Sequence, residues 1–266
     1  MNIILAHGIL GFRQHLGINY FNRIEEHLKQ RSLRVLATVV DPVRGIATRG
    51  AQLRQQILGA FENGALDGAE KTHIIAHSMG GFDARFALSP DNPDNIADRI
   101  ASLTTIGTPH LGSPVADLLF SAVDGKSLFG LAGGKLEGVV RNIVEKLGIS
   151  LDGLHDLTTA TTTEFNHRFG DHDQVRYFSI AGGGRKKFFP TCGLLVPAHA
   201  LVESVENEND GLVSVKSASR WENTILWPAD HADEVGHDLD RGLESSPENF
   251  DHLAEYDKLV ARLAAI

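Results

Sequence analysis

Ser78 stands in the segment THIIAHSMGG, Thr72 to Gly81, where an apolar run ends in a serine flanked by small residues. Such a pattern mounts a nucleophile on a sharp strand-to-helix turn. The serine backbone is strained there, and the positions two before and two after it must be small so that strand and helix pass closely. Ala76 and Gly80 meet that need, alanine being the smallest side chain after the commoner glycine. Average composition yields an A/G-x-S-x-G match in roughly one chain of this length in four, so the flanks decide. Ile74-Ile75-Ala76 reads as a buried strand, and Phe82, Phe86 and Leu88 suit the buried face of a following helix.

A serine hydroxyl is a poor nucleophile at neutral pH. It needs a histidine to take its proton and a carboxylate to hold that histidine in the productive tautomer. On a strand-turn-helix elbow the chain order is serine, acid, histidine. Thirteen histidines are present, most of them necessarily bystanders. Asp210 lies in the polar turn Asn207-Glu208-Asn209-Asp210-Gly211, where loop ends carry catalytic groups, although an aspartate before glycine is also an ordinary turn residue. Beyond it Thr224-Ile225-Leu226-Trp227 supplies a strand and Pro228-Ala229-Asp230-His231 a loop, which puts His231 in place as the base. His237 is the second choice by position, and His252 is set aside because it falls in a terminal helix. An oxyanion hole needs two backbone N–H donors. One is expected from Met79, at the start of the helix after the nucleophile, and one from Ile9 in the turn His7-Gly8-Ile9-Leu10-Gly11-Phe12, which also reads as a plain βα turn.

The elements that must position these groups alternate. Ile3 to His7 reads as a strand, Tyr20 to Arg31 as a helix, Arg34 to Val40 as a strand, and Arg49 to Glu62 as a helix with Leu53, Ile57, Ala60 and Phe61 on one face. The Ser78 strand and helix follow, then a strand Ile100 to Ile106, later strands Val175 to Ala181 and Thr224 to Trp227, and a terminal helix Phe250 to Leu263. This rhythm implies an α/β fold, a mostly parallel central sheet flanked by helices. Ser113 to Asp156 breaks it with an apolar, glycine-interrupted insertion, either extra core or a mobile cover over a pocket.

With 266 residues and 42% hydrophobic content the chain can bury one large core, and no linker or repeat divides it, so residues 1–266 read as one domain. The formal charge of −9, with 15 acidic against 4 basic residues between Glu203 and Lys258, argues against a nucleic-acid partner and fits a solvated acidic surface. Cys192 is the only cysteine, so no intrachain disulfide forms. No apolar run approaches the roughly 20 residues of a membrane span. No basic segment precedes the first apolar run, which leaves a cytoplasmic reading of the sequence as given and a secreted one if a leader has been removed.

The segments LAHGILGF, AHSMGG, GTPHLGS, DLTT with TEFN, NDGLV and DHADEV occur in that order from Leu5 to Val235. Together they resemble the bacterial triacylglycerol lipases of the Pseudomonas, Burkholderia and Proteus type. The resemblance implies an α/β-hydrolase core with a helical lid over 113–156, cleavage of lipid carboxylic esters, and no cofactor. It also implies Ser78 as nucleophile, Asp210 as acid, His231 as base, and the Ile9 and Met79 amides as oxyanion donors. The expected partner is a lipid or ester substrate, taken from a lipid–water interface. Many secreted members have a disulfide, which this chain cannot form. The family's calcium site uses two aspartates. Asp233 matches one, but Val196 stands where the other should precede Pro197, so no family-type calcium ion is expected. Acyl transfer to an alcohol or short-chain ester cleavage would use the same groups. A catalytically silent binding protein on the same fold is the reading from another class.

Overall fold

A computed structural model describes residues 1–9, 11, 19–124, 150–183, 191–193, 195–239 and 250–266 of the chain. Six strands form one sheet: β1 Asn2–Ala6, β2 Arg34–Ala37, β3 Thr72–His77, β4 Ser102–Ile106, β5 Arg176–Gly182 and β6 Ile225–Trp227. Their order is β2-β1-β3-β4-β5-β6, and every neighbouring pair is parallel. The described helices are α1 Ile24–Gln30, α2 Ile46–Glu62, α3 Gly80–Leu88, α4 Pro114–Asp124, α5 Leu151–His155, α6 Thr159–Arg168, α7 Val196–Glu206, α8 Val215–Ala218 and α9 His252–Leu263.

A parallel strand covered by helices must be apolar on both faces, and β1 and β3 are buried at every position. Period two then sorts the side chains. Ile4, Ala6, Ile74, Ala76 and Leu103 pack with Leu53, Ile57 and Ala60 of α2 and Ala84 and Leu88 of α3. Ile3, Leu5, Ile75, Ile106 and Ile180 face the other way, onto Ile24 and Leu28 of α1 and Tyr256, Leu259, Val260 and Leu263 of α9. The spacing of these α9 residues, i, i+3, i+4 and i+7, is one helical face, and Asp251 caps the helix by accepting the Ala254 N–H at 3.1 Å.

Two elements fall three or more residues short of their sequence patterns. β2 ends at Ala37 instead of Val40 because side chains of α2 take over its backbone. Gln56 accepts from Val39 N–H at 2.9 Å and donates to its carbonyl at 2.7 Å, Gln52 accepts from Asp41 N–H at 2.6 Å, and Arg49 donates to the Asp41 carbonyl at 2.7 Å. Likewise α1 starts at Ile24 instead of Tyr20, since Arg23 just before it has a left-handed φ of 63°.

The described flanks of the insertion at 113–156 pack as core. Helices α4 and α5 contribute Ala116 and Leu154 to a third apolar cluster, with Ile46, Met79, Phe82, Leu157 and Phe165, above the C-terminal ends of the strands. Residues 125–149 of the expected lid lie outside the described residues. Among the described residues no helix is long and apolar enough to cross a membrane.

Candidate active site

The chain leaves β1 for β2 on one side and returns to β3 on the other, so the strand order reverses between β1 and β3. In open α/β sheets that crevice, outside the carboxyl ends of the strands, is where ligands bind. Ser78 follows β3 directly, and Ile9 lies just beyond β1.

Ser78 has φ 54°, a left-handed conformation costing about 1–3 kcal/mol for a residue with a side chain. Three hydrogen bonds hold it. Its N–H donates to the Ile106 carbonyl at 2.8 Å, while its own carbonyl accepts from Thr108 Oγ1 at 2.8 Å and from Gly81 N–H at 3.0 Å. The small residues around it are needed: a Cβ on Gly80 would lie 2.7 Å from the His7 carbonyl, and one on Gly8 would lie 2.7 Å from Ser78 Cβ.

His231 Nε2 is 3.0 Å from Ser78 Oγ, and His231 Nδ1 is 2.7 Å from Asp210 Oδ2. Asp210 is fastened before it meets the imidazole. Its Oδ1 accepts the Leu212 and Val213 N–H groups at 2.8 and 2.7 Å, and its carbonyl accepts the His231 N–H at 2.8 Å. A carboxylate only accepts, so the proton of neutral His231 sits on Nδ1 and the Nε2 lone pair faces the serine hydroxyl. His237 Nε2 is instead 2.9 Å from the Tyr20 carbonyl, and His252 Nε2 is 3.1 Å from that of Asn22. Ile9 lines the cavity beside Ser78, and Met79 is fully buried at the start of α3. The backbone N–H of neither donates to any described acceptor.

A group that the sequence motifs did not single out completes the surroundings. Glu234, wholly buried, places Oε2 2.9 Å from His77 Nε2 and 3.6 Å from His231 Nδ1, and Tyr20 Oη is 2.6 Å from His77 Nδ1. Burial, with Asp210, Asp230 and Asp233 nearby, pushes the Glu234 carboxyl well above its ordinary range. Burial likewise holds the His77 imidazole well below its usual range, so it is neutral. A signal was available: His77 is an ionisable residue inside an apolar strand run, next to Ser78, and Glu234 falls three residues after His231.

Ligand atoms of His77, His231 and Glu234 lie within 4.8 Å of one another, but they are the atoms that make the bonds just described. A cation there would take Nδ1 of His231 from Asp210. The residues do not fit the calcium site that the resemblance implies either. Val196 begins α7 with an apolar, exposed side chain, and Asp233 Oδ2 accepts the Asp230 N–H at 3.3 Å. Asp230 in turn fastens the loop before His231, accepting from Thr191 Oγ1 at 3.1 Å, Cys192 N–H at 2.8 Å, Ala232 N–H at 3.0 Å and Asp233 N–H at 2.9 Å.

Above Ser78 and His231 opens a cavity of about 530 Å³, its walls formed by Ile9, Leu119, Leu154, Leu157, Leu212 and Val235 among others. The volume falls within the usual range for small-molecule sites. Apolar walls around one serine–histidine pair suit a substrate with a hydrocarbon body and a single reacting carbonyl.

The DUF676 serine esterase family model matches residues 2–120. A triacylglycerol lipase of Vibrio cholerae is 31% identical over 239 residues, covering 81% of this chain and 72% of the relative. A triacylglycerol lipase of Pseudomonas fragi is 26% identical, covering 88% and 87%. Among solved structures, the mature Bacillus licheniformis lipase BlEst2 superposes with a TM-score of 0.66 at 22% identity, over 90% of this chain and 88% of that one.

Proposed function

The chain belongs to the triacylglycerol lipase family of the α/β-hydrolase superfamily, a carboxylic ester hydrolase of lipase type, and from that premise we propose that Ser78, His231 and Asp210 carry the reaction. The observation that carries the assignment is the pair of contacts on His231, 3.0 Å to Ser78 Oγ and 2.7 Å to Asp210 Oδ2, at the floor of an apolar cavity.

Ser78 Oγ attacks the ester carbonyl carbon while His231 Nε2 takes its proton, and Asp210 stabilises the imidazolium that forms. The negative charge on the former carbonyl oxygen is received by the N–H groups of Ile9 and Met79, the latter at the positive end of α3. Collapse of the tetrahedral species breaks the ester C–O bond, and His231 returns the proton to the leaving alcohol. Water, deprotonated by the same imidazole, then releases the acid from Ser78.

The same reading takes residues 1–266 as one domain and 113–156 as its apolar cover, supported by Ala116, Leu119 and Leu154, which line the cavity from the described flanks of that insertion. Each buried methylene is worth up to about 0.8 kcal/mol, or about fourfold in kcat/KM. Turnover of p-nitrophenyl esters is therefore expected to rise at least tenfold from acetate to octanoate, and further above the concentration at which substrate aggregates. Ser78→Ala is expected to abolish it, by roughly 10⁴- to 10⁶-fold. Equal kcat/KM on acetate and octanoate with no response to an interface would remove the lipid-ester reading, and more than a few per cent of activity in Ser78→Ala would remove the nucleophile.

A further inference from the structure

His7 is buried beneath the turn that bears Ile9, and both of its ring nitrogens have partners. The Val40 N–H donates to Nε2 at 3.1 Å, so Nε2 carries no proton and the neutral ring holds its hydrogen on Nδ1. That Nδ1–H donates to the carbonyl of Gly8 at 2.8 Å, which also accepts the Gly11 N–H at 3.3 Å. The ring stays neutral, because burial, with the Arg49 charge nearby, lowers its pKa to about 4.

The Gly8 carbonyl belongs to the same peptide unit as the Ile9 N–H. In a trans peptide the two point in opposite directions, and the described chain has no cis bonds. Holding the oxygen toward His7 therefore turns the Ile9 N–H the other way, where no described acceptor takes it up. The residue before this peptide is also fixed, since Arg49 Nη2 donates to the His7 carbonyl at 2.8 Å while its Nε and Nη2 grip Asp83 of α3 at 2.9 and 2.7 Å. One buried guanidinium thus ties the β1 turn to the helix that starts at the nucleophile.

We propose that His7 is a positioning residue for ester hydrolysis: through its Nδ1–H tautomer it sets the plane of the Gly8–Ile9 peptide and so aims one of the two oxyanion donors before substrate arrives. This rests on the assignment of the Ile9 amide to the oxyanion hole. An aimed donor needs no reorganisation as charge develops, and loss of a whole donor costs roughly 10²- to 10³-fold in kcat, so a mis-set one is expected to cost about 10- to 100-fold.

Two substitutions separate aiming from mere packing. In His7→Asn the side-chain amide N–H lies the same number of bonds from the backbone as Nδ1 and can still donate to Gly8. In His7→Gln the amide oxygen reaches the place of Nε2 and keeps the Val40 bond, but nothing replaces Nδ1–H. The expected result is that His7→Gln loses about 10- to 100-fold in kcat with KM little changed, and loses affinity for an alkyl boronic acid, a tetrahedral analogue, by a similar factor, whereas His7→Asn stays within about fivefold of wild type in both. Wild-type kcat in His7→Gln, a loss confined to KM, or equal losses in both variants would overturn the proposal. Should His7→Gln not fold, the ¹⁵N shifts of His7 in the wild-type protein decide: a proton on Nδ1 supports it and a proton on Nε2 overturns it. Wild-type turnover and its loss in Ser78→Ala are measured alongside. An inactive wild type overturns the hydrolase reading beneath the proposal, while an active wild type matched by His7→Gln overturns only the role of His7.

Discussion

Replacing Asp210 by asparagine should harm this enzyme more than replacing it by alanine. Asp210 Oδ1 accepts two backbone N–H groups, from Leu212 and Val213, and Oδ2 faces His231 Nδ1. In Asp210→Asn the amide oxygen must stay with those two donors, which turns the NH₂ toward His231. An N–H facing Nδ1 forces the imidazole proton onto Nε2, where it meets Ser78 Oγ and can no longer receive the serine proton. That wrong tautomer is worth on the order of 10⁴ in kcat in well-studied serine hydrolases, about 5 kcal/mol of barrier. The fold is expected to survive, because the loop bonds remain. Removal of the triad aspartate alone costs about 3 × 10⁴ in a well-studied serine protease, but Asp210→Ala imposes no tautomer and the Glu234 carboxyl, 3.6 Å from Nδ1, is near enough to move onto it, so the loss is expected to be held to about 10- to 100-fold. Alanine does leave the Leu212 and Val213 N–H groups without their acceptor, at roughly 1–3 kcal/mol each, and its melting temperature should fall where that of asparagine does not. The assay is kcat on p-nitrophenyl octanoate with thermal melting of each variant, and His231→Ala as the lower limit at about 10⁶. Asparagine within tenfold of wild type, or alanine well below asparagine, would refute the reasoning.

Gly107 has φ 55°, and a Cβ there would run into the Glu234 carboxyl, so Gly107→Ala is expected to lose at least tenfold in kcat together with stability; unchanged turnover would show that the Glu234 contact does not matter. Thermal stability is expected to fall from neutral pH toward about pH 4, because His7 and His73, held by burial near 4, and His77 and His110, held well below their ordinary range, refuse protons that the unfolded chain accepts from about pH 6.5 downward. His7 alone accounts for about 3 kcal/mol of that loss, while Asp83, raised by burial to about 6, acts in the opposite direction between about pH 4 and 6, and Glu234, held by burial well above its ordinary range, also acts in that opposite direction. A flat or rising melting temperature on acidification, at constant salt, would mean these imidazoles are not held neutral. Chelation by EDTA is expected to leave activity and melting temperature nearly unchanged, since Val196 offers no side-chain oxygen and the Asp230 carboxylate fastens the His231 loop through protein donors. A drop of several degrees restored by calcium would contradict it.

The sequence by itself determined what local physics can encode. Apolar runs and helical spacing gave the βα alternation, because burial on both faces of a parallel strand and on one stripe of a helix leaves its period in the chain. The small residues around Ser78 marked the elbow, since strained backbone and close approach admit few residue types. Chain order and places beyond strands brought Asp210 and His231 forward with His237 still open, and the contacts of His231 with Asp210 and Ser78 separate it from His237. What only the tertiary structure decided are the partners of buried polar groups. Nothing near Arg34–Val40 shows that Gln56, Gln52 and Arg49 end its ladder at Ala37. Nothing near His77 points to Glu234, 157 residues away, nor near His7 to Val40, whose N–H selects the tautomer. A buried donor or acceptor must be satisfied, but local sequence states only the need; the packing of distant segments supplies the atom that meets it.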